Sequence, residues 1–90
     1  MRAMRITKFE SEGTAHKLKE PIVFTPFCEG GMVCADLGIF GYHFAYSPKF
    51  LRRLIIEHFD FLWSVYIPAR DEEMTPQARE LKRKLLEIVK

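Results

Sequence analysis

Ile22-Val23-Phe24-Thr25-Pro26-Phe27-Cys28-Glu29-Gly30-Gly31-Met32-Val33-Cys34-Ala35-Asp36 decides the fold: two apolar runs around a glycine pair. Ile22 to Cys28, rich in β-branched and aromatic residues, reads as a strand, and Met32 to Asp36 reads as its antiparallel return. Glu29-Gly30-Gly31 is hairpin chemistry, because glycine accepts the positive φ that tight hairpins require. A two-residue Gly30-Gly31 loop sets Phe27 opposite Cys34 and Cys28 opposite Val33. The two cysteines then point to opposite sheet faces and cannot bridge without moving backbone.

Upstream, Ala3 to Glu10 mixes Met4, Ile6 and Phe9 with charges and reads as a half-exposed strand. Ser11-Glu12-Gly13 is a turn, and Ala15 to Glu20 returns, with a bend expected at Pro21. Proline cannot donate to a sheet ladder, so Pro21 and Pro26 belong on an edge or at a bulge. Downstream, Leu37-Gly38 reads as a kink, after which Ile39 to Phe44 continues extended, making the final strand long and bent. The expectation is an antiparallel three- to four-stranded β-meander over residues 3–44.

Two helices follow. Ser47-Pro48 and Thr75-Pro76 each place an N-cap hydroxyl before a proline whose φ is already helical. Tyr46 and Leu51 stand at the two positions of a hydrophobic staple. The first helix, residues 48–67, carries Leu51, Leu54, Ile55, His58, Leu62 and Val65 on one face, with Arg53, Glu57, Asp60 and Ser64 opposite. Ile56, Phe59 and Trp63 add a further apolar stripe. The second, residues 76–89, buries Ala78, Leu81, Leu85, Ile88 and Val89, and Asp71-Glu72-Glu73 is a solvated connector. The chain reads as one α+β domain, residues 1–90.

Ninety residues with eight phenylalanines carry more large apolar groups than one small domain needs. That excess implies a homo-oligomer, with Ile56, Phe59 and Trp63 as its interface. The net charge of +2 is small, whereas nucleic-acid binders more often show a strong basic excess. Arg2, Arg5 and Lys8 precede no apolar stretch of signal-peptide length, and Phe59 to Ile67 is too short to span a membrane. With two cysteines and no export signal, a cytoplasmic protein without membrane contact is expected.

His16, His43 and His58 lack neighbours at metal-ligand spacing, and Cys28 and Cys34 straddle a hairpin instead of forming a zinc knuckle. Gly30-Gly31 opens no helix and is no phosphate cradle. Catalytic residues, metal and cofactor are therefore expected to be none, and the chain is read as no enzyme. Lys49, Arg52 and Arg53 cluster near Tyr42, Phe44 and Tyr46, and basic residues among aromatics can hold single-stranded nucleic acid. A solvated helix face is the plainer reading of the same residues.

The segment Glu29-Gly30-Gly31-Met32-Val33-Cys34-Ala35-Asp36-Leu37-Gly38 resembles the HicB antitoxin signature, a Glu-Gly-Gly-type hairpin leading into a strand, a Pro-Asp-Leu-Pro-Gly turn and a helix. Phe9 to Ile22, Leu37 to Gly41 and Met74 to Leu85 look like uncharacterised archaeal HicB-like proteins, so the resemblance covers nearly the whole chain. It implies a degenerate ribonuclease-H-like half-fold acting as a protein-binding module, with a small mRNA-cleaving HicA-like toxin as partner. The chain departs from that pattern: no proline flanks Asp36-Leu37, Tyr46-Ser47-Pro48-Lys49 replaces the acidic helix start, and no DNA-binding module follows the second helix. Residues expected at the partner surface are Phe40, Tyr42, Tyr46, Lys49, Arg52 and Arg53. The alternative is a small nucleic-acid-binding domain using the same basic and aromatic edge.

Overall fold

The computed structural model describes Met1–Lys90. Its order is β1 (Met4–Ser11), β2 (Thr14–Phe24), β3 (Phe27–Glu29), β4 (Met32–Asp36), β5 (Tyr42–Ala45), α1 (Pro48–Tyr66) and α2 (Pro76–Ile88). The fold is α+β: five antiparallel strands, then two helices. β1 pairs with β2 in one sheet, and β3, β4 and β5 form a second sheet in sequential order. No helix is long and apolar enough to cross a membrane.

The glycine hairpin pairs as a two-residue loop requires, with Phe27 opposite Cys34, Cys28 opposite Val33 and Glu29 opposite Met32. Gly30 and Gly31 have φ of +60° and +79°, the doubly positive pattern of a type I′ turn. Pro21 falls at an irregularity in the β1–β2 ladder, as expected, but Ile22 to Cys28 is not one strand. β2 runs through Pro21, and the interruption falls at Thr25-Pro26. Ile6 faces Ile22 and Lys8 faces Lys17, which leaves Leu18 to Pro21 bulged opposite Thr7. In a bulge the missing proline N–H costs no ladder bond. The bulge also frees Leu18 to bridge Val89, and the Lys90 N–H donates to the Lys17 carbonyl at 2.9 Å.

The long bent strand expected from Met32 to Phe44 is instead a hairpin, β4 and β5 antiparallel with Asp36 opposite Tyr42 and Val33 opposite Ala45. A 3₁₀ turn over Gly38–Phe40 reverses the chain. The Asp36 carboxylate accepts from the Gly38 N–H at 3.0 Å, and the Leu37 N–H donates to the Gly41 carbonyl at 2.9 Å. Gly41 has a φ of +99°, and a Cβ there would lie 3.2 Å from His43 Nε2. A kinked extended strand would leave that carboxylate and those backbone groups unused.

Both helix starts are capped as the sequence suggests: Ser47 Oγ accepts from Phe50 N at 3.2 Å and Thr75 Oγ1 from Ala78 N at 3.1 Å. The staple does not form, for Tyr46 is 86% exposed while Leu51 is fully buried. One core joins Ile6 and Phe9 of β1, Val33, Ala35 and Ala45 of β4 and β5, Leu51, Ile55, Phe59 and Leu62 of α1, and Leu81 and Leu85 of α2. The buried stripe of α1 therefore includes Phe59, and Val65 is exposed. The expected interface stripe is thus partly interior. Phe59 lies between Phe9 and Phe40, with ring centroids 5.8 and 5.2 Å away. Trp63 leans on Phe9 and His16 at 5.8 and 4.5 Å, and Ile56 stays half-buried. Phe9 of the β1–β2 hairpin and Phe40 cover Phe59, so a second copy is not needed to hide that ring.

The acidic connector is fixed by basic side chains of α2. Lys82 Nζ donates to the Ala69 carbonyl at 2.8 Å and the Asp71 carboxylate at 2.9 Å, and Arg79 donates to the Asp71 and Met74 carbonyls.

Candidate protein-docking surface

Alternation along β3, β4 and β5 sorts their side chains onto two faces. Val33, Ala35 and Ala45 enter the core with Leu51 and Ile55 of α1. The other face carries the row Phe27, Cys34 and Phe44, directly opposite one another across the three strands. Tyr42 lies on the same face two residues before Phe44, and Tyr46 continues the alternation past the strand end. Phe27, Tyr42, Phe44 and Tyr46 are 39%, 49%, 57% and 86% exposed, whereas Cys34, between flanking rings, is 3% exposed.

The rings form a connected set. Phe27 and Tyr42 meet edge-on with centroids 6.1 Å apart, and Tyr42 and Phe44 are 6.5 Å apart. The Tyr42 hydroxyl donates to Glu29 Oε2 at 3.5 Å, reaching from β5 past β4 to the end of β3. Its phenol is pushed up to about 12, first by the hydrogen bond with the Cys34 thiol, then by desolvation and by the charges of Cys34 and Glu29. Near neutral pH the phenol therefore remains a neutral donor. Cys34 Sγ donates weakly to the Met32 carbonyl at 3.7 Å.

Glu29 and Asp36 give this face two carboxylates, and no lysine or arginine occurs in β3, β4 or β5. The surface is aromatic with an acidic border, an arrangement that receives basic, flat or apolar groups and repels phosphate.

The sequence-derived partner residues do not form one patch. Tyr42 and Tyr46 belong to the aromatic face. Phe40 turns inward onto Phe59. Arg52 and Arg53 sit on α1, which packs against the opposite face of the sheet. Arg52 donates to the Arg5 carbonyl, and Arg53 pairs with Glu57 at 3.2 Å. Together with Lys49, Ile56 and Glu57 they line a groove of about 310 Å³. Phe27 was not among the expected residues. Its signal was available in the Gly30-Gly31 register, which aligns it with Cys34 and, through the next hairpin, with Phe44.

The remaining titratable cluster is His43 with His58. His43 Nε2 lies 2.9 Å from the Phe40 carbonyl, which can only accept, so this nitrogen carries the proton. Burial, and then the neighbouring charge of His43, hold the His58 imidazole below its ordinary value of 6.5. No group of three or more His, Cys, Asp or Glu side chains converges on a point that could hold a metal. Comparison with protein-family models, with curated proteins and with solved structures finds no match to this chain.

Proposed function

We propose that this chain is a protein-binding module of the HicB-like antitoxin type, whose β3–β4–β5 outer face receives a small, basic, RNA-cleaving partner. The carrying observation is the exposed set Phe27, Tyr42, Phe44 and Tyr46 beside Glu29 and Asp36, with no cation in the three strands. Exposed aromatics are the anchor type on which protein interfaces concentrate their energy. An acidic border complements a protein evolved to hold RNA, and it would fall where that protein's phosphate-binding cations lie. The sequence pattern supports the same reading: Glu29-Gly30-Gly31 and Asp36-Leu37-Gly38 occupy the two turns of this sheet, where the resemblance to HicB is carried.

The nucleic-acid alternative draws less support. It needs aromatics and cations on one surface, while Arg52 and Arg53 are on α1 behind the sheet and two carboxylates border the rings.

Co-expression with a HicA-type toxin encoded beside this chain, scoring growth, tests the proposal. Rescue by the wild type, lost with Tyr42→Ala plus Phe44→Ala and kept with Arg53→Glu, is the expected result. Absence of rescue, together with a salt-sensitive mobility shift of labelled single-stranded RNA by the isolated chain, would overturn it.

A further inference from the structure

A second surface, independent of the aromatic face, lies along the free edge of β1. Every strand edge presents unpaired N–H and C=O groups, and proteins shorten, cover or pair such edges. β3 and β5 are short, at three and four residues. The outer side of β2 is met by the C-terminus through the Leu18–Val89 bridge. β1, eight residues long, has β2 on one side and no strand on the other. There a groove of about 370 Å³ runs between Thr7 to Glu10 and the α1 residues Arg52, Ile56, Glu57 and Asp60.

The groove is electrically polar along its length. β1 and α1 run side by side in the same sense, since Arg52 donates to the Arg5 carbonyl at one end and Phe9 packs on Phe59 and Trp63 further along. Arg52 lines the first end, where it holds the Arg5 carbonyl, and Glu10, Glu57 and Asp60 line the groove toward the second. Arg5, Lys8, Glu10 and Asp60 make no ion pair within the chain; the Arg53–Glu57 pair is the one formed along this groove.

We infer that the occupant of this groove is β1 of a second copy, added antiparallel about a two-fold axis near Thr7 and Lys8. Such an axis sets Arg5 opposite the partner's Glu10 and Ile6 opposite the partner's Phe9. It also lays the positive end of each groove on the negative end of the other. A parallel addition would put like charge on like, which is penalised. The result is one four-stranded antiparallel sheet crossing the dimer, an isologous interface in which each contact occurs twice. Ile56, half-buried at the groove wall, gains cover in it.

The test uses the full chain and reads mass by sedimentation across concentration. The wild type is expected to be a dimer at tens of micromolar, with amide exchange at Thr7 to Glu10 slowing as dimer forms. Arg5→Glu and Glu10→Arg, each checked for an unchanged circular-dichroism spectrum, should each weaken self-association by about tenfold or more. Mixed together, the two variants should form a heterodimer, because one chain then offers two cations and the other two carboxylates. A wild type that stays monomeric, or a dimer indifferent to both reversals, would overturn the inference.

Discussion

His58 on α1 packs edge-on against His43 on β5, with ring centroids 4.7 Å apart. The contact closes the β4–β5 hairpin onto the helix, and Gly41 leaves room for both rings. In the folded chain the His58 pKa lies below 6.5, through burial first and the charge of His43 second. The folded state therefore binds fewer protons than the unfolded chain in the range just below 6.5. Stability is complete above that value and declines as pH falls from 6.5 toward the lower folded pKa. Thermal unfolding followed between pH 8 and 5 should show this decline, and His58→Gln should flatten it. An equally steep decline in His58→Gln would assign the effect to other groups.

Phe59 and Val65 separate the observed packing from the face that helical spacing alone suggests. Phe59→Ala empties the space between Phe9 and Phe40 and should cost about 3–5 kcal/mol, a large part of the stability of so small a domain. Val65, 45% exposed, should accept Lys at a cost within about 0.5 kcal/mol. Chemical denaturation of the two variants checks both values. The reverse order of costs would mean that the helix is rotated from this packing.

What the sequence reveals here is what is local. The Gly30-Gly31 register and the Ser47 and Thr75 caps rest on groups within a few residues of one another, and each is present in the structure. The Leu37 to Gly41 reversal is not legible in the sequence, because Ile39 to Phe44 has an extended pattern in isolation. What turns it is the Asp36 carboxylate on the Gly38 N–H and the pairing of β5 back onto β4. Helical spacing puts Phe59 on an outer stripe, because periodicity cannot show that a hairpin 50 residues upstream arrives to cover it. The candidate surface divides in the same way. Tyr42 and Tyr46 are legible as surface aromatics, Phe40 is not because the 3₁₀ turn aims it inward onto Phe59, and Phe27 joins them only through cross-strand register.

Glu12 has a φ of +51° in the turn between β1 and β2. A side chain other than Gly, Asn or Asp is strained there. Glu12→Asn should relax the turn and stabilise the fold by about 0.5 kcal/mol, raising the unfolding midpoint by about 2–4 °C. Thermal denaturation at pH 7.5, above the histidine range, isolates this effect. A lowered midpoint would mean that Glu12 makes an interaction worth more than the strain.

The two thiols should differ sharply in reactivity. Cys28 is exposed and Cys34 buried, both free, on opposite faces of adjacent strands. Alkylation of the native protein should label Cys28 quickly and Cys34 only after denaturation. Intact mass after aerobic storage should show no internal loss of two hydrogens, because a Cys28–Cys34 bond requires the β3–β4 pairing to break. Rapid double labelling in the native state would mean that this hairpin opens readily.

The aromatic face yields the prediction that best separates a binding role from a structural one. Tyr42 and Phe44 are about half exposed, and their inward neighbours His43 and Ala45 supply the packing on α1. Truncating either ring to Ala should therefore cost about 1 kcal/mol or less in stability, in keeping with a surface site. Tyr42→Ala also removes the donor to Glu29, an exposed contact whose loss leaves the carboxylate to water. If this face anchors a partner, the same substitutions should weaken the complex by about 2 kcal/mol each, roughly thirtyfold, as buried aromatic anchors do. Glu29→Lys and Asp36→Asn should slow association with a basic partner and reduce its salt dependence; the second keeps a side-chain oxygen to accept from the Gly38 N–H, so the turn is retained. Denaturation curves and titration calorimetry on one variant panel give both numbers. Stability losses as large as the binding losses would make the rings part of the scaffold and remove them from the docking surface.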